Sequence, residues 1–242
     1  MKKSEIDAVF IMAAGRGERL RPLTDQTPKP LISVRGKPIL AHLLDQISAQ
    51  LSVKRVVLNA WHLKEQIEAF AKSAKYPFSI FVSSEEELLG TGGGLKRALP
   101  LIGDAPFLMM NGDCLWEGDL KNFSAAPNGD PKLLSKWWLA PVSAEQTLIE
   151  MDASGTVCTI GNLHSSPASG ATVKGCFSGI QRVERVFPER LPEKGCILRN
   201  YMIPLLKEGY RLKAEAGGLQ NWSDLGTPER LKAADRLGSV NE

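Results

Sequence analysis

Several marks of common protein classes are missing from this chain. None of its four cysteines, Cys114, Cys158, Cys176 and Cys196, pairs as CxxC. That argues against a zinc ribbon or a thioredoxin-like redox centre and leaves reduced thiols as the expectation. The three histidines, His42, His62 and His164, have no mutual spacing that suits a metal site or a proton relay, and none is assigned a role. No apolar run approaches the roughly 20 residues of a membrane span. The start, MKKSEIDAVFIMAAG, sets lysines before an apolar run, but Glu5 and Asp7 interrupt it, unlike a signal peptide. A net charge of +3, spread along the chain, is too mild to point to nucleic acid. There is no low-complexity linker, and no hexapeptide repeat that would build a C-terminal β-helix. The expectation is a soluble, cytoplasmic protein without nucleic-acid or membrane partners, a monomer or a weak dimer.

What is present reads as an ordinary globular chain of 242 residues, 43% hydrophobic and 24% charged, enough for a sizeable core. In its first half, short apolar runs alternate with amphipathic stretches. Ala8–Met12, RVVLNA (55–60), FSIFVSS (78–84) and APFLMMNGD (105–113) read as strands. PILAHLLDQISAQL (38–51) and HLKEQIEAFAKSA (62–74) have helical spacing, and GGGLKRALPLI contains a short helix. That rhythm, with near-continuous apolar strands, predicts a Rossmann-like α/β fold with a mostly parallel sheet flanked by helices. The second half changes character. KLLSKWWLAPV is a long apolar run, TLIEMDASGTVCTI reads as a hairpin around Asp152–Gly155, GCFSGIQRV as another strand, and the segment after Cys196 and TPERLKAADRL as helices. An antiparallel subregion inserted in one domain is expected, residues 1–115 forming a nucleotide-binding half and 116–242 a sugar-binding half. Trp137 and Trp138 fit core positions better than a stacking platform.

After the first apolar strand comes AAGRGERLRPLTDQTPKP (13–30), with Gly15 and Gly17, four cations (Arg16, Arg19, Arg21, Lys29) and three prolines. It is not a Walker loop, which needs GxxxxGK and then Ser or Thr, and not a dinucleotide fingerprint, because Leu20 stands where the third glycine belongs. An NAD-binding reading also lacks its acidic residue about 20 positions on. Pro22, Pro28 and Pro30 are expected to hold the chain extended. A long loop with glycines and fixed cations suits a triphosphate spread along it, backbone N–H groups and guanidinium forks meeting its oxygens.

These residues carry a resemblance. GRGERLRPLTDQTPKPL (15–31) resembles the signature GxGxRLxPLTxxxPKPL of the sugar-1-phosphate nucleotidylyltransferases. EEELLGTGGGL (85–95), NGD (111–113), FSGI (177–180) and WSDLGTPERL (222–231) continue it in order. Within that family the short N-acetylmuramate-1-phosphate uridylyltransferases look most similar, with mannose- and heptose-1-phosphate guanylyltransferases close behind. The resemblance implies Mg²⁺-dependent transfer of a nucleoside monophosphate from an NTP to a sugar 1-phosphate, the best guess being UTP and N-acetylmuramate 1-phosphate. A catalytically silent nucleotide-sugar sensor on the same fold is the alternative from another class.

By the same resemblance Arg19, Lys29 and Asp113 are the catalytic residues, and Asp113 and Asp224 hold the Mg²⁺. Ala13, Ala14, Gly15, Gly17, Arg19, Glu85 and Gly90 would bind the nucleotide, Glu85 by accepting from a nucleobase N–H. Lys29, Thr91, Gly92, Asn111, Ser178 and Gly179 would bind the sugar phosphate. Other readings stand beside these. Asp113 could be a turn acid in NGD, Asp224 a helix cap although Thr227 fits that cap better, and the three glycines Gly92, Gly93 and Gly94 a hinge rather than a close approach to a base, ribose or sugar. Two departures matter: Ser33 replaces a proline common in the family, and no Glu-Lys-Pro segment supplies its sugar-phosphate lysine, for which Lys174 is a possible stand-in. As an acid at a strand end, Asp113 is expected to contribute little to the core.

Overall fold

The computed structural model describes residues 6–127, 129–143, 145–167, 170 and 172–236. The basic start before Ile6, and Leu237 of the expected closing helix, lie outside them. Four parallel strands form the first half of the sheet: β1 (Ala8–Met12), with β2 (Ser33–Val34) and β3 (Lys37–Pro38) as a separate small hairpin after it, then β4 (Arg55–Ala60), β5 (Ser79–Ser84) and β6 (Phe107–Asn111). β1 lies between β4 and β6, and β5 is the outer strand. Val9, Phe10, Ile11, Val56, Val57 and Leu58 are fully buried, as near-continuous apolar strands covered on both faces must be.

The covering helices follow from their apolar stripes. After the short α1 (Leu23–Gln26), α2 (Ile39–Gln50) buries Leu40, Leu43, Leu44 and Ile47 on one face of the sheet, beside α3 (Lys64–Ser73) with its Ile67. α4 (Gly90–Ile102) packs Leu95, Ala98 and Ile102 on the other face. Pro38 precedes α2 directly, where a missing N–H costs little.

The second half joins the same sheet. After β7 (Cys114–Gly118) and α5 (Leu120–Phe123), it contains β8 (Leu133–Ala140), β9 (Leu148–Met151), β10 (Val157–Ile160), β11 (His164–Ser165) and β12 (Val173–Val183). Then come α6 (Ile203–Lys207), β13 (Arg211–Ala216), β14 (Leu219–Asp224) and α7 (Pro228–Arg236). β12 runs antiparallel to β6, β8 and β9, and so splices the antiparallel strands onto the parallel ones; β13 lies parallel to β8. The expected mixed fold is observed. The β9–β10 hairpin forms around Asp152–Gly155, with Asp152 Oδ1 accepting from the backbone N–H groups of Ser154 and Thr156 at 2.8 and 3.0 Å. Trp137 and Trp138 are core residues, 2% and 1% exposed, and Trp138 stacks on Phe123.

Two expectations are corrected. The opening loop is not held extended by its prolines. It coils into short helical turns over Glu18–Leu20, Leu23–Gln26 and Lys29–Leu31, and Pro22 sits with helical angles at the start of α1. The helix after the glycine run is not short: it begins at Gly90 and takes in every glycine. Glycine costs about 1 kcal/mol in a helix interior, so the run needs a reason, and the neighbours provide it. A Cβ at Gly92 would lie 2.7 Å from Pro192 Cγ, one at Gly93 would overlap the Glu193 carbonyl oxygen, and one at Gly94 would lie 2.8 Å from both Asn59 Nδ2 and Glu85 Oε1. At Gly92, Gly93 and Gly94 the close approach that the structure shows is that of the chain itself. Because a backbone carbonyl cannot swing aside, Gly93→Ala is expected to cost about 1–3 kcal/mol by overpacking. A urea titration measures this, and an unchanged midpoint would refute the packing account.

Candidate active site

The register of the parallel strands brings their carboxyl ends level: Met12 pairs with Asn59 on one side and Asn111 on the other. Asn59 Oδ1 accepts from the backbone N–H of Ala13 at 2.8 Å, which fixes where the chain leaves the sheet. Gly112 donates its N–H to Met12 O at 2.9 Å, and a side chain there would collide with that same oxygen. Beyond this carboxyl edge, where open α/β sheets place ligands, opens a cavity of about 220 Å³. Its walls include Ala13, Ala14, Gly15, Lys29, Gly90, Thr91 and Asn111, residues assigned from the sequence to either substrate, and Asp113, assigned to catalysis and the metal. A second cavity of about 260 Å³, walled by Arg35, Lys37 and His42 among others, contains none of the assigned residues.

Gly15 borders the cavity with open space where a side chain would stand. Gly17 does not border it. Its φ of +63° and its fit against Thr24, whose hydroxyl donates to Gly17 O at 2.9 Å, make it a turn residue inside the loop. The four loop cations part company. Arg16 lies over the Trp61 ring at 4.8 Å and 3.7 Å from Glu18, while Arg21 pairs with Asp25 at 3.2 Å. Lys29, only 8% exposed, forms an ion pair with Asp113. Arg19 is exposed and has no ion-pair partner among the described residues. Leu20, Ile32, Val34 and Ile39 of this region pack with Leu115, Leu225 and Leu231 in a small core of their own, which ties the loop to β7, β14 and α7.

That tie brings the two acids together. β7 and β14 pair antiparallel with Cys114 opposite Asp224, and the backbone N–H of Leu225 donates to Asp113 O at 2.9 Å. Asp224 Oδ2 accepts from Arg230 at 2.9 Å and from Gln146 at 3.2 Å. Its Oδ1 is buried and, among the described residues, has no hydrogen-bond partner. An orphaned carboxylate oxygen is costly unless something electropositive meets it. Burial first, and then the carboxylates of Asp113 and Asp224, push the Cys114 thiol well above its ordinary range, so it stays neutral between two acids. The described residues contain no group of three or more His, Cys, Asp or Glu arranged for a metal. Two neighbouring carboxylates with one free buried oxygen nonetheless fit Mg²⁺, which keeps much of its water and shares phosphate oxygens. Thr227 Oγ1 accepts from the Arg230 N–H at 3.4 Å at the start of α7, so the capping position belongs to Thr227 and Asp224 is free for another role.

Other assigned residues serve the scaffold. Glu85 is 1% exposed; Oε1 accepts from Asn59 Nδ2 at 2.7 Å and Oε2 from the Leu89 N–H at 3.0 Å. It braces Asn59 and the start of α4 instead of facing a nucleobase. Gly92 is buried, with its N–H donated to Gly195 O at 2.8 Å, and Thr91 Oγ1 accepts from the Ile197 N–H at 2.9 Å. Ser178 is fully buried and donates to Trp138 O at 2.6 Å, shaping the bulge that turns Gly179 (φ +87°) against the Asn111 side chain. Lys174 is paired with Glu150 at 2.7 Å, on the antiparallel strands, and does not border the cavity. Sequence reasoning missed Asn59, Gln146, Gly226 and Arg230. Asn59 was visible as a polar residue closing an apolar run, and Gly226 and Arg230 lie inside WSDLGTPERL. Gln146 carried no signal.

The model of the nucleotidyl transferase family matches residues 8–160, more than half of the chain. The chain belongs to the nucleotidyl transferases. Among its relatives, the N-acetylmuramate alpha-1-phosphate uridylyltransferase of Neisseria meningitidis serogroup B is 32% identical over 96% of this chain and 98% of that protein. The mannose-1-phosphate guanylyltransferase of Mycobacterium tuberculosis is 28% identical over 95% of this chain, spanning 63% of that longer protein. The crystal structure of HddC from Yersinia pseudotuberculosis aligns with a TM-score of 0.74 at 24% identity, over 96% of this chain and 99% of that one, and bears out the fold. The enzyme expected from the sequence is thus a nucleotidyl transferase, and the dinucleotide-binding reading falls away.

Proposed function

We propose that this nucleotidyl transferase moves a uridylyl group from UTP to N-acetylmuramate 1-phosphate, releasing pyrophosphate. The observation that carries the transfer is the meeting of Asp113 and Asp224 across the β7–β14 ladder, beside Lys29 and the cavity at the sheet's carboxyl edge. The choice of substrates leans on the similarity to the Neisseria uridylyltransferase, which extends over nearly the whole of both chains.

In the reaction, an oxygen of the sugar phosphate attacks the α-phosphorus of UTP, and the bond to the bridging oxygen of pyrophosphate breaks. No protein nucleophile is required; the chain's task is positioning and charge neutralisation. Arg19, exposed and unpaired among the described residues, would face the β- and γ-phosphates. Lys29 neutralises charge near the reacting phosphorus, its position set by Asp113. Ala13, Ala14 and Gly15 offer backbone to the nucleotide, with Asn59 and Glu85 behind them as the brace. Asn111 and Thr91 line the side of the cavity offered to the sugar phosphate. Asp113 and Asp224 would hold Mg²⁺, which supplies Lewis-acid stabilisation of the phosphate oxygens when bound. Residues 1–115 would serve the nucleotide, and 116–242 the sugar together with Thr91 and Asn111 of the first half, in a cytoplasmic monomer or weak dimer that works in cell-wall recycling.

A panel of UTP, GTP, CTP and dTTP against the 1-phosphates of N-acetylmuramate, N-acetylglucosamine, mannose and heptose tests the choice. The proposal expects UTP with N-acetylmuramate 1-phosphate to have the highest kcat/KM. Preference for GTP with mannose or heptose 1-phosphate would move the chain to the guanylyl branch, and binding of nucleotide sugars without turnover would make it a silent homologue.

A further inference from the structure

Asp224 is held on one side only. Arg230 donates from Nη1 to Oδ2 at 2.9 Å and from Nη2 to Glu145, so its guanidinium is fixed at both ends, and Gln146 adds a second bond to Oδ2 at 3.2 Å. Among the described residues Oδ1 is left buried and unpartnered, facing Gly226. A Cβ at Gly226 would stand 2.7 Å from Oδ1 and 2.5 Å from Arg19 Nη2. The φ of Gly226 is not in the left-handed region, so what this glycine contributes is room. The cation of the opening loop and the carboxylate of β14 face each other across the space where its side chain would be.

We infer that Gly226 and Arg230 are positioning residues for the cation site: Arg230 occupies Oδ2 so that Asp224 presents Oδ1 alone, and Gly226 keeps open the gap in which Oδ1 and Arg19 meet the metal and the triphosphate. The inference rests on reading Asp224 as a metal ligand. On charge alone a guanidinium beside a metal ligand should oppose the metal. Glu145 offsets that charge, and groups that orient a ligand typically change metal affinity by 10–100-fold when removed. Orientation and charge therefore predict opposite signs for the loss of Arg230.

The test is Mn²⁺ binding, followed by the electron paramagnetic resonance signal of free Mn²⁺, to the whole protein with a non-hydrolysable α,β-methylene UTP. Arg230→Ala should weaken Mn²⁺ about 10-fold, and Arg230→Lys should recover part of the loss. Gly226→Ala should weaken both Mn²⁺ and the analogue, since its methyl would displace the tip of Arg19 and press on Asp224 Oδ1, and a urea titration checks that the variant remains folded. Wild-type Mn²⁺ affinity in both Ala variants, or tighter binding in Arg230→Ala, would overturn the inference if Asp224→Asn still loses the metal. Equal binding by wild type and Asp224→Asn would overturn the reading of Asp224 and this inference with it.

Discussion

Asp113→Asn is expected to lower turnover by a factor on the order of 10² or more, the scale of losing one preorganised electrostatic stabiliser. It is also expected to cost stability, which the sequence alone did not predict. Asp113 is the ion-pair partner of Lys29, whose side chain is 10% exposed. Removing the carboxylate leaves that ammonium desolvated without a counter-charge, a loss of about 1–3 kcal/mol. Steady-state rates at saturating Mg²⁺ and a urea titration measure the two effects separately. Near-normal turnover would remove Asp113 from the cation site, and an unchanged urea midpoint would show that the pair with Lys29 does not hold the buried lysine in place.

Arg19→Ala separates chemistry from folding more cleanly. Arg19 is exposed and pairs with nothing among the described residues, so its loss should leave the stability read from a urea titration within about 0.5 kcal/mol of wild type, as for other surface changes. Charge on the leaving pyrophosphate grows as the bond breaks, so a group that meets it acts more strongly on the transition state than on the bound substrates. A fall in kcat of about 10² is expected, with the KM for sugar phosphate nearly constant. A rise in that KM alone would place Arg19 on the other substrate.

The parallel half of the fold was legible because its strands are apolar on both faces and its helices carry clean stripes, so period and burial agree. RVVLNA and Ala8–Met12 became strands with the bounds the sequence implied. The α4 helix was less legible. Its glycines speak for a loop, and only the pressing of Pro192, Glu193, Asn59 and Glu85 against them explains why a helix accepts them. The β7–β14 ladder was missed for a related reason: neither strand alternates, and each forms only because the other stands opposite, more than a hundred residues away. The opening loop shows the limit of local proline rules, since Pro22 begins a helical turn that packing through Leu20 and Ile32 stabilises.

The site divided along the same line. Arg19, Lys29, Asp113 and Asp224 could be named from motifs, because phosphate chemistry demands cations and a few carboxylates. What those motifs could not show is which side chains are already spent on the fold. Glu85 and Ser178 looked available and are buried braces, while Arg230 looked like an ordinary helix residue and grips Asp224. Availability depends on neighbours distant in sequence, and spacing carries no record of them.

The most direct test of the account is pyrophosphate release by the wild-type protein given UTP and N-acetylmuramate 1-phosphate with Mg²⁺, repeated with excess chelator. Pyrophosphate and UDP-sugar should form in equal amounts, only with both substrates present, and stop when the metal is removed. Folded protein that releases no pyrophosphate with any nucleoside triphosphate and sugar 1-phosphate, or that releases it undiminished by the chelator, would contradict the central claim.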